Sequence, residues 1–189
     1  MAASAPSSFG PLSLLPGTWE GEVGTDVAPG ADRSAMCTPY RERIVFEPVG
    51  EVENHEQRLA VLRYHQIVWP ADAADPFHDE VGYLAWDPAA GMVTRSFTIP
   101  RAMAVLAGGR AHATARYFVV EARAGDPCFG IVENPFLHRK FRTVRFEARY
   151  EVRGDAELRY AEDTVLRIDG RDDLFHHRDA NVLRKRRDA

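Results

Sequence analysis

The chain has 189 residues, enough for one domain with a sizeable core, and its 45% apolar and 28% charged residues are ordinary for a soluble protein. The net charge is −4, so the chain has no basic excess that would attract a nucleic acid. Its single dense basic run, Arg184–Arg187, is of the kind found at solvated termini. The N-terminus lacks signal-peptide features and no stretch reaches the ~20 apolar residues of a membrane span, so we expect a cytoplasmic protein with no membrane partner.

Apolar and polar residues alternate along most of the chain, and helical periodicity is almost absent. This alternation is typical of half-buried antiparallel strands, because successive side chains of a strand point to opposite faces. Strands are predicted, in chain order, at residues 18–27, 40–49, 58–69, 79–87, 92–100, 102–109, 115–122, 128–134, 143–153, 158–168 and 175–186. The breaks between them carry Gly, Pro, Asn and Asp, which turns require.

The clearest pair of strands lies between residues 143 and 169. The first strand has an apolar face that consists of Val144, Phe146, Ala148, Tyr150 and Val152. Gly154–Asp155 supply a turn, after which the alternation resumes. Glu162 then falls in the phase of the apolar residues, so the pattern predicts an inner face that is not uniformly apolar.

Ten to eleven short strands with hairpin-length connections predict an all-β fold, a single antiparallel up-and-down β-barrel of about ten strands. Closure would remove the exposed sheet edges, and a barrel of this strand number is wide enough for a ligand cavity. A two-sheet sandwich is the structural alternative. We expect the barrel to occupy residues 11–186, after a disordered N-terminal segment at 1–10 and before a tail at 187–189.

The predicted first strand opens with GTWEGEV, Gly17 to Val23. Gly17 permits a tight entry into the strand, and Gly21 permits a sharp bend. Trp19 would bury a large apolar surface by plugging one end of the barrel. A tryptophan in any β core is the plainer interpretation, but the position of this motif at the first strand favours the barrel.

Four stretches resemble the nitrobindin-like proteins, a family of heme-binding β-barrels related to the fatty-acid-binding and lipocalin folds. LLPGTWEGEV resembles the G-x-W-x-G-x-G opening of the family, although Val23 replaces its last glycine. PYRERIVFEPVG, residues 39–50, is similar to its Y-x-E-x-x-x-F-x-x-x-G strand, and FHDEVGYLAWD, residues 77–87, is similar to its H-x-E-x-G-Y-L stretch. The final strand resembles the strand that supplies the axial heme ligand.

The resemblance implies a barrel that binds heme b and nitric oxide and that, if it is an enzyme, isomerises peroxynitrite to nitrate. It also implies a histidine ligand on the final strand, where His177 lies one position further from Leu183 than in the family. Two other functions stay open: a non-catalytic carrier of a fatty acid or another apolar small molecule in the barrel cavity, and an adaptor with no cavity ligand. A homodimer is a possible assembly.

The adjacent histidines of FHHRDANVLRKR, His176 and His177, are the candidate heme ligands. Because neighbouring side chains of a strand point to opposite faces, the two are not expected to form a metal pair. The phase of His176 contains Arg178 and Arg184, and this favours His177 as the inward residue and iron ligand. Apolar residues in that same phase leave the opposite orientation open, and two ordinary polar residues near a barrel mouth are the plainer interpretation. A neutral imidazole is a good fifth ligand for heme iron.

Other candidate sites are weaker. The run His78–Glu80 could join a metal site, but its adjacent positions diverge, and His65 is expected to be a half-buried strand residue. Cys37 and Cys128 lack metal-ligand spacing and are expected to be reduced thiols. The sequence contains no nucleophile motif, phosphate loop or zinc signature.

Overall fold

The computed structural model describes residues 7–186, with side chains from Phe9 onward. Residues 1–6 of the segment expected to be disordered, and the predicted tail 187–189, lie outside this range. Ser7–Leu12 form a 3-10 helix in which Phe9 is buried. The segment predicted to be disordered at 1–10 is therefore folded from Ser7 onward.

Eleven strands and one α-helix follow the 3-10 helix in the described chain. The strands are β1 (Gly17–Pro29), β2 (Ala35–Glu53), β3 (Arg58–Pro70), β4 (His78–Asp87), β5 (Met92–Ile99), β6 (Met103–Arg110), β7 (Tyr117–Arg123), β8 (Ile131–Glu133), β9 (Phe141–Arg153), β10 (Glu157–Ile168) and β11 (Phe175–Lys185). The helix α1 (Pro135–Lys140) follows its N-cap Asn134, whose Oδ1 accepts a 2.8 Å hydrogen bond from the amide of Phe136. Neither helix has the length and hydropathy needed to cross a membrane.

The strands form a closed antiparallel ring, as the alternation predicted. Strands β1 to β7 pair in chain order, β7 pairs with β9, and the ring continues through β10 to β11, which pairs with β1. This is an up-and-down barrel of ten strands, and the two-sheet alternative is excluded because the pairing closes. The eleventh strand, β8, pairs with the first half of β6 at Met103–Val105, while the second half of β6 pairs with β7 at Gly108.

One end of the barrel is plugged by the N-terminal segment. Phe9, Leu12 and Leu15 are buried there with Trp19, which is fully buried. The Nε1 of Trp19 donates a 2.7 Å hydrogen bond to the carbonyl of Leu15, so the polar atom of the ring is satisfied. The predicted position of Trp19 near one end is confirmed.

Strand β9 contributes a continuous apolar face to the interior, with one exception. Phe146, Ala148, Tyr150 and Val152 are buried as predicted. The prediction that Val144 belongs to this inward face is wrong, because the register of β9 against β10 shifts between Val165 and Leu166. Val144 therefore has no partner on β10 and is only half-buried, as is typical of a β-bulge.

Candidate functional site

The two ends of β11 lie at opposite ends of the barrel. Lys185 pairs with Trp19 at the plugged end, whereas Arg178 pairs with Val27 near the other end, which we call the mouth. His177 is next to Arg178 and therefore lies at the mouth. The polar residues that face inward between the mouth and the plug define the candidate site.

Burial alternates along β11 and separates the two candidate histidines. Phe175, Asn181 and Leu183 are buried, and His177 shares their phase and has a side chain that is 36% exposed. His176 is exposed on the outer face. The structure thus brings only His177 to the interior and does not bring the two imidazoles together. Iron ligation by His177 stays a prediction.

Each of these histidines has its own carboxylate. The Nε2 of His177 lies 2.7 Å from Oδ1 of Asp26 on β1, and Asp26 is 7% exposed. The Nδ1 of His176 lies 2.9 Å from Oδ1 of Asp163 on β10, at the solvent-facing surface. The sequence analysis missed Asp26, although it lies next to the motif around Trp19.

A bulge in β1 explains why Asp26 faces inward. Strict alternation from Trp19 and Gly21 would place Asp26 outside the barrel. The pairing with β2 shifts between Gly21 and Gly24, so β1 carries one extra residue. Val23 is 70% exposed at this point, and Gly24 and Asp26 are both buried. The bulge thus re-aims the carboxylate toward His177.

Arg95 on β5 occupies the centre of the barrel and is 1% exposed. Its Nη2 donates a 2.7 Å hydrogen bond to Glu80 on β4, its Nη1 donates to Glu162 on β10, and its Nε donates a 2.8 Å hydrogen bond to the hydroxyl of Tyr64. Four aromatic rings surround the guanidinium, with centroids 4.7–5.6 Å from its central carbon: Tyr64, Phe97, Phe146 and Tyr150. Two carboxylates thus neutralise the buried cation.

A third interior carboxyl, that of Glu42 on β2, is bound by neutral groups instead of a cation. It accepts hydrogen bonds from Gln66 Nε2 (2.8 Å), the Tyr160 hydroxyl (3.0 Å) and Asn181 Nδ2 (2.7 Å). Burial raises the pKa of Glu42 to about 7, against the effect of these three donors. Near neutral pH, Glu42 is therefore a proton-holding group inside the barrel.

The hydrogen bonds continue from Glu42 toward the mouth. The hydroxyls of Tyr160 and Tyr40 are 2.6 Å apart, and the Tyr40 hydroxyl lies 3.5 Å from Oδ2 of Asp179 on β11. Burial and the neighbouring carboxylates of Glu162 and Glu42 raise the pKa of Asp179. The space left among the central side chains measures about 10 Å³, room for no more than about one water.

The run His78–Glu80 divides between the two faces of β4. Burial by itself would raise the pKa of the Glu80 carboxyl. The positive charge of Arg95 and the hydrogen bond from His78 have the larger, opposite effect and lower this pKa to about 2. Burial would lower the pKa of His78, but the hydrogen bond and charge of Glu80 raise it instead. On the outer face, Asp79 lies 3.1 Å from Nε2 of His65.

In the sequence, the charged residues of this interior can be recognised because each shares its alternation phase with apolar residues of the same strand. Glu42 shares its phase with Ile44 and Phe46, and Arg95 shares its phase with Val93 and Phe97. Only Glu162 was identified in this way from the sequence. The two cysteines, Cys37 and Cys128, are free and exposed, so neither contributes to the interior.

The donor set at the mouth fits a heme ligand better than a multi-residue metal site. In residues 7–186, no group of three or more His, Cys, Asp or Glu side chains could hold a metal ion. His177 offers one imidazole with one ring nitrogen bonded to a carboxylate, the arrangement found in metal-binding histidines. Because Arg95 and its partners fill the centre, the residues that would hold a heme are those at the mouth around His177.

A wider groove lies outside the barrel. Its volume is about 880 Å³, and it crosses the outer faces of β4, β5 and β6 beside the loop that carries Pro127 and Cys128. Val81, Tyr83 and Leu106 line it and are 42–49% exposed. Tyr64 and Phe97, whose rings lie against Arg95, also contribute to the lining of this groove.

Comparisons with known proteins agree with this architecture. The chain resembles the crystal structure of Rv2717c from M. tuberculosis with a TM-score of 0.66 and 24% sequence identity, over 97% of this chain and 99% of that one, and this likeness concerns the fold. No curated protein sequence matches the chain. The family described as the THAP4-like, heme-binding β-barrel domain matches residues 8–185. The chain therefore belongs to this heme-binding β-barrel family, the nitrobindin-like family that its motifs resemble.

Proposed function

We propose that this barrel binds heme b through His177 and that the heme binds nitric oxide, with isomerisation of peroxynitrite to nitrate as its reaction if it is an enzyme. The observation that carries the proposal is the inward-facing imidazole of His177 on the final strand. The family match over residues 8–185 supports heme as the cofactor. Nitric oxide and peroxynitrite come from the resemblance to nitrobindins.

A bound heme and the protein chain would make separate contributions to the chemistry of the site. A bound heme supplies an iron with one position for a protein ligand and one for a small molecule. The chain would supply the imidazole of His177, which lies at the mouth beside Asp26. The charged and aromatic layer around Arg95 closes the barrel beneath the mouth.

Hemin titration of the purified protein tests the proposal. The wild-type protein should develop a Soret band, and His177→Ala should abolish or shift it. His176→Ala is the matched control, because its imidazole lies on the same strand but outside the barrel, and it should change the spectrum much less. Both variants should keep the wild-type circular dichroism spectrum, but His177→Ala should lower the denaturation midpoint, because it leaves the buried Asp26 without its imidazole partner. A nitrosyl spectrum, and nitrate yield from peroxynitrite compared with His177→Ala, test the two finer activities.

The other outcomes discriminate between the alternatives. A large effect of His176→Ala would place the wrong histidine at the iron and leave heme binding intact. A wild-type protein that never binds hemin would contradict the proposal. The carrier of an apolar small molecule would then take its place, and denaturing the colourless protein should release such a compound.

A further inference from the structure

Two arginines face each other across strands β9 and β10 on the outer surface of the barrel. Arg142 is the cross-strand partner of Arg167, and both side chains are exposed. Within residues 7–186, neither side chain makes a hydrogen bond or an ion pair. Like charges directly opposite each other in an antiparallel pair are destabilising, because their Cβ atoms lie only about 4.5–5.5 Å apart. The pair is therefore unfavourable unless an anion neutralises it.

A similar pair of arginines on the outer surface has an anion between its members. Arg123 on β7 is the cross-strand partner of Arg145 on β9. Glu121 bridges the two guanidiniums, because its carboxylate oxygens lie 2.6 Å from Nε of Arg123 and 3.1 Å from Nη2 of Arg145. The carboxylate offsets the repulsion between the two cations. Arg142 and Arg167 have the same cross-strand arrangement without a bridging carboxylate from the described chain.

The acids near this pair are already bound to other cations. Asp169 is the acid nearest to Arg167 in the sequence, and it pairs with Lys140 at 2.6 Å. The other described arginines of β9, β10 and β11 each have a carboxylate oxygen within 3.5 Å of a guanidinium nitrogen: Arg145, Arg149, Arg153, Arg159, Arg178 and Arg184. The Arg142–Arg167 pair is thus the exception on these three strands.

The helix before β9 adds positive charge beside the pair. Arg139 lies in the last turn of α1, three residues before Arg142, and is exposed. Its side chain makes no ion pair within residues 7–186. Three residues span at most about 10 Å, a distance over which charges still interact at moderate ionic strength. The positive potential at the pair is therefore increased by a third guanidinium.

We propose that Arg142 and Arg167 form a binding site for a phosphate group, which bridges them as Glu121 bridges the other pair. A phosphate monoester carries roughly two negative charges near neutral pH and has three terminal oxygens, so it can accept hydrogen bonds from both guanidiniums. A carboxylate has one charge and two oxygens, which the fork of a single arginine already satisfies. Two adjacent, unpaired guanidiniums therefore favour a phosphate over a carboxylate.

The first experiment is an NMR titration of the ¹⁵N-arginine-labelled protein with inorganic phosphate at constant ionic strength. The Nε–H signals of Arg142 and Arg167 should shift together and saturate, and acetate should shift them much less. Arg142→Gln and Arg167→Gln should each lower the phosphate affinity about tenfold or more, the effect of one lost charge-assisted contact. Arg123→Gln is the matched control, because it removes the same charge from a pair that has its own carboxylate. It should keep the wild-type affinity.

The second experiment compares stability with and without phosphate. In phosphate-free buffer, Arg167→Gln should unfold at a higher urea concentration than wild type, because it removes the repulsion between the two guanidiniums. At saturating phosphate the order should reverse, because wild type gains the larger binding free energy. Arg123→Gln should show no such reversal. Circular dichroism spectra that match the wild-type spectrum would establish that both variants are folded.

Two further measurements distinguish the sources of the phosphate group. One is a titration with pyrophosphate in solution, and the other is co-sedimentation with phosphatidylcholine vesicles that contain or lack phosphatidic acid. Binding to phosphatidic acid that Arg142→Gln abolishes would assign the site to a lipid headgroup. Saturation by free phosphate or pyrophosphate without vesicle binding would assign it to a soluble compound. Either result supports the proposal.

Three results would overturn it. Phosphate could shift the signals of Arg123 and Arg145 as much as those of Arg142 and Arg167, which would show unspecific attraction to arginines. The glutamine variants could keep the wild-type phosphate affinity. Arg167→Gln could be less stable than wild type in phosphate-free buffer, which would show that the pair supports the fold by itself. None of these experiments uses heme, so their outcome is independent of the proposed function.

Discussion

Arg95 carries a positive charge in the centre of the barrel, where an unpaired ion would be strongly disfavoured. Glu80 and Glu162 bind two of its nitrogens, Tyr64 binds the third, and aromatic rings cover its faces. The complete set of partners is what permits the burial. Removing the guanidinium would leave two carboxylates in the interior without their cation.

Arg95→Met should therefore lower the free energy of unfolding by about 3–5 kcal/mol, because Glu80 and Glu162 would stay buried without their cation. Urea denaturation followed by circular dichroism measures the effect. Arg63→Met is the control: Arg63 pairs with Glu47, both side chains are more than half exposed, and the midpoint should hardly move. Equal shifts in the two variants would contradict this account of the centre.

Glu42 predicts a pH dependence with a definite sign. Its pKa is about 7 in the folded barrel and 4.5 in the reference state, so the folded protein binds the proton more tightly. The stabilisation that the protonated Glu42 side chain contributes to the folded state is fully present below pH 4.5 and is lost as the pH rises through 7. Relative to Glu42→Gln, which is neutral throughout, wild type should lose about 3 kcal/mol of unfolding free energy between these two pH values. Urea titrations at pH 5 and pH 8 measure this; parallel changes in both proteins would rule it out.

At the scale of elements, the bulge of β9 divides one strand into two parts with different environments. Phe146 is buried, and the centroid of its ring lies 5.2 Å from that of Phe97, whereas Val144 is half-buried and has no partner on β10. The strand thus contributes to the core from Phe146 onward. Sequence alternation alone could not reveal where the pattern breaks.

Phe146→Ala should lower the free energy of unfolding by about 3–5 kcal/mol, since it removes a buried ring from the core. Val144→Ala, two residues away at the bulge, should lower it by much less. Chemical denaturation of the two variants measures the difference. If Val144→Ala were the more destabilising change, the bulge would have been placed in the wrong position.

At the scale of the molecule, the two ends of the barrel have different roles. The 3-10 helix and Trp19 fill one end with apolar side chains, and His177 and Asp26 lie at the other. The layer around Arg95 lies between them. Stability and ligand binding should therefore be separable by substitutions at opposite ends. Cytoplasmic location and the homodimer stay predictions.

Leu12→Ala tests this separation. Leu12 is fully buried in the plug, so the change should lower the free energy of unfolding by about 2–5 kcal/mol. Hemin binding at a temperature where the variant is folded should keep the wild-type affinity and Soret maximum. Leu174→Ala, at a residue 43% exposed just before β11, should change stability by no more than about 0.5 kcal/mol. A shifted Soret maximum in Leu12→Ala would show that the two ends are coupled.

The sequence by itself determined the strands, their closure into a barrel and the burial of Trp19, because alternation along a strand reports directly which face is apolar. It also favoured His177 over His176 as the inward residue, because the phase of His176 contains Arg178 and Arg184. The interior charged residues could be predicted in part: Glu162 stood out among apolar residues of the same phase, and Glu42 and Arg95 show the same pattern.

The tertiary structure alone decided which polar groups meet. Asp26 and His177 are separated by 151 residues, and strict alternation would have turned Asp26 outward. A bulge adds one residue and reverses the phase of everything beyond it, and Gly21 and Gly24 permit a bend in β1 without showing that an extra residue lies between them. For the same reason Val144 left the core face predicted for β9. The alternation predicted which residues face the interior of the barrel, but only the register between β1 and β11 brings Asp26 and His177 together at its mouth.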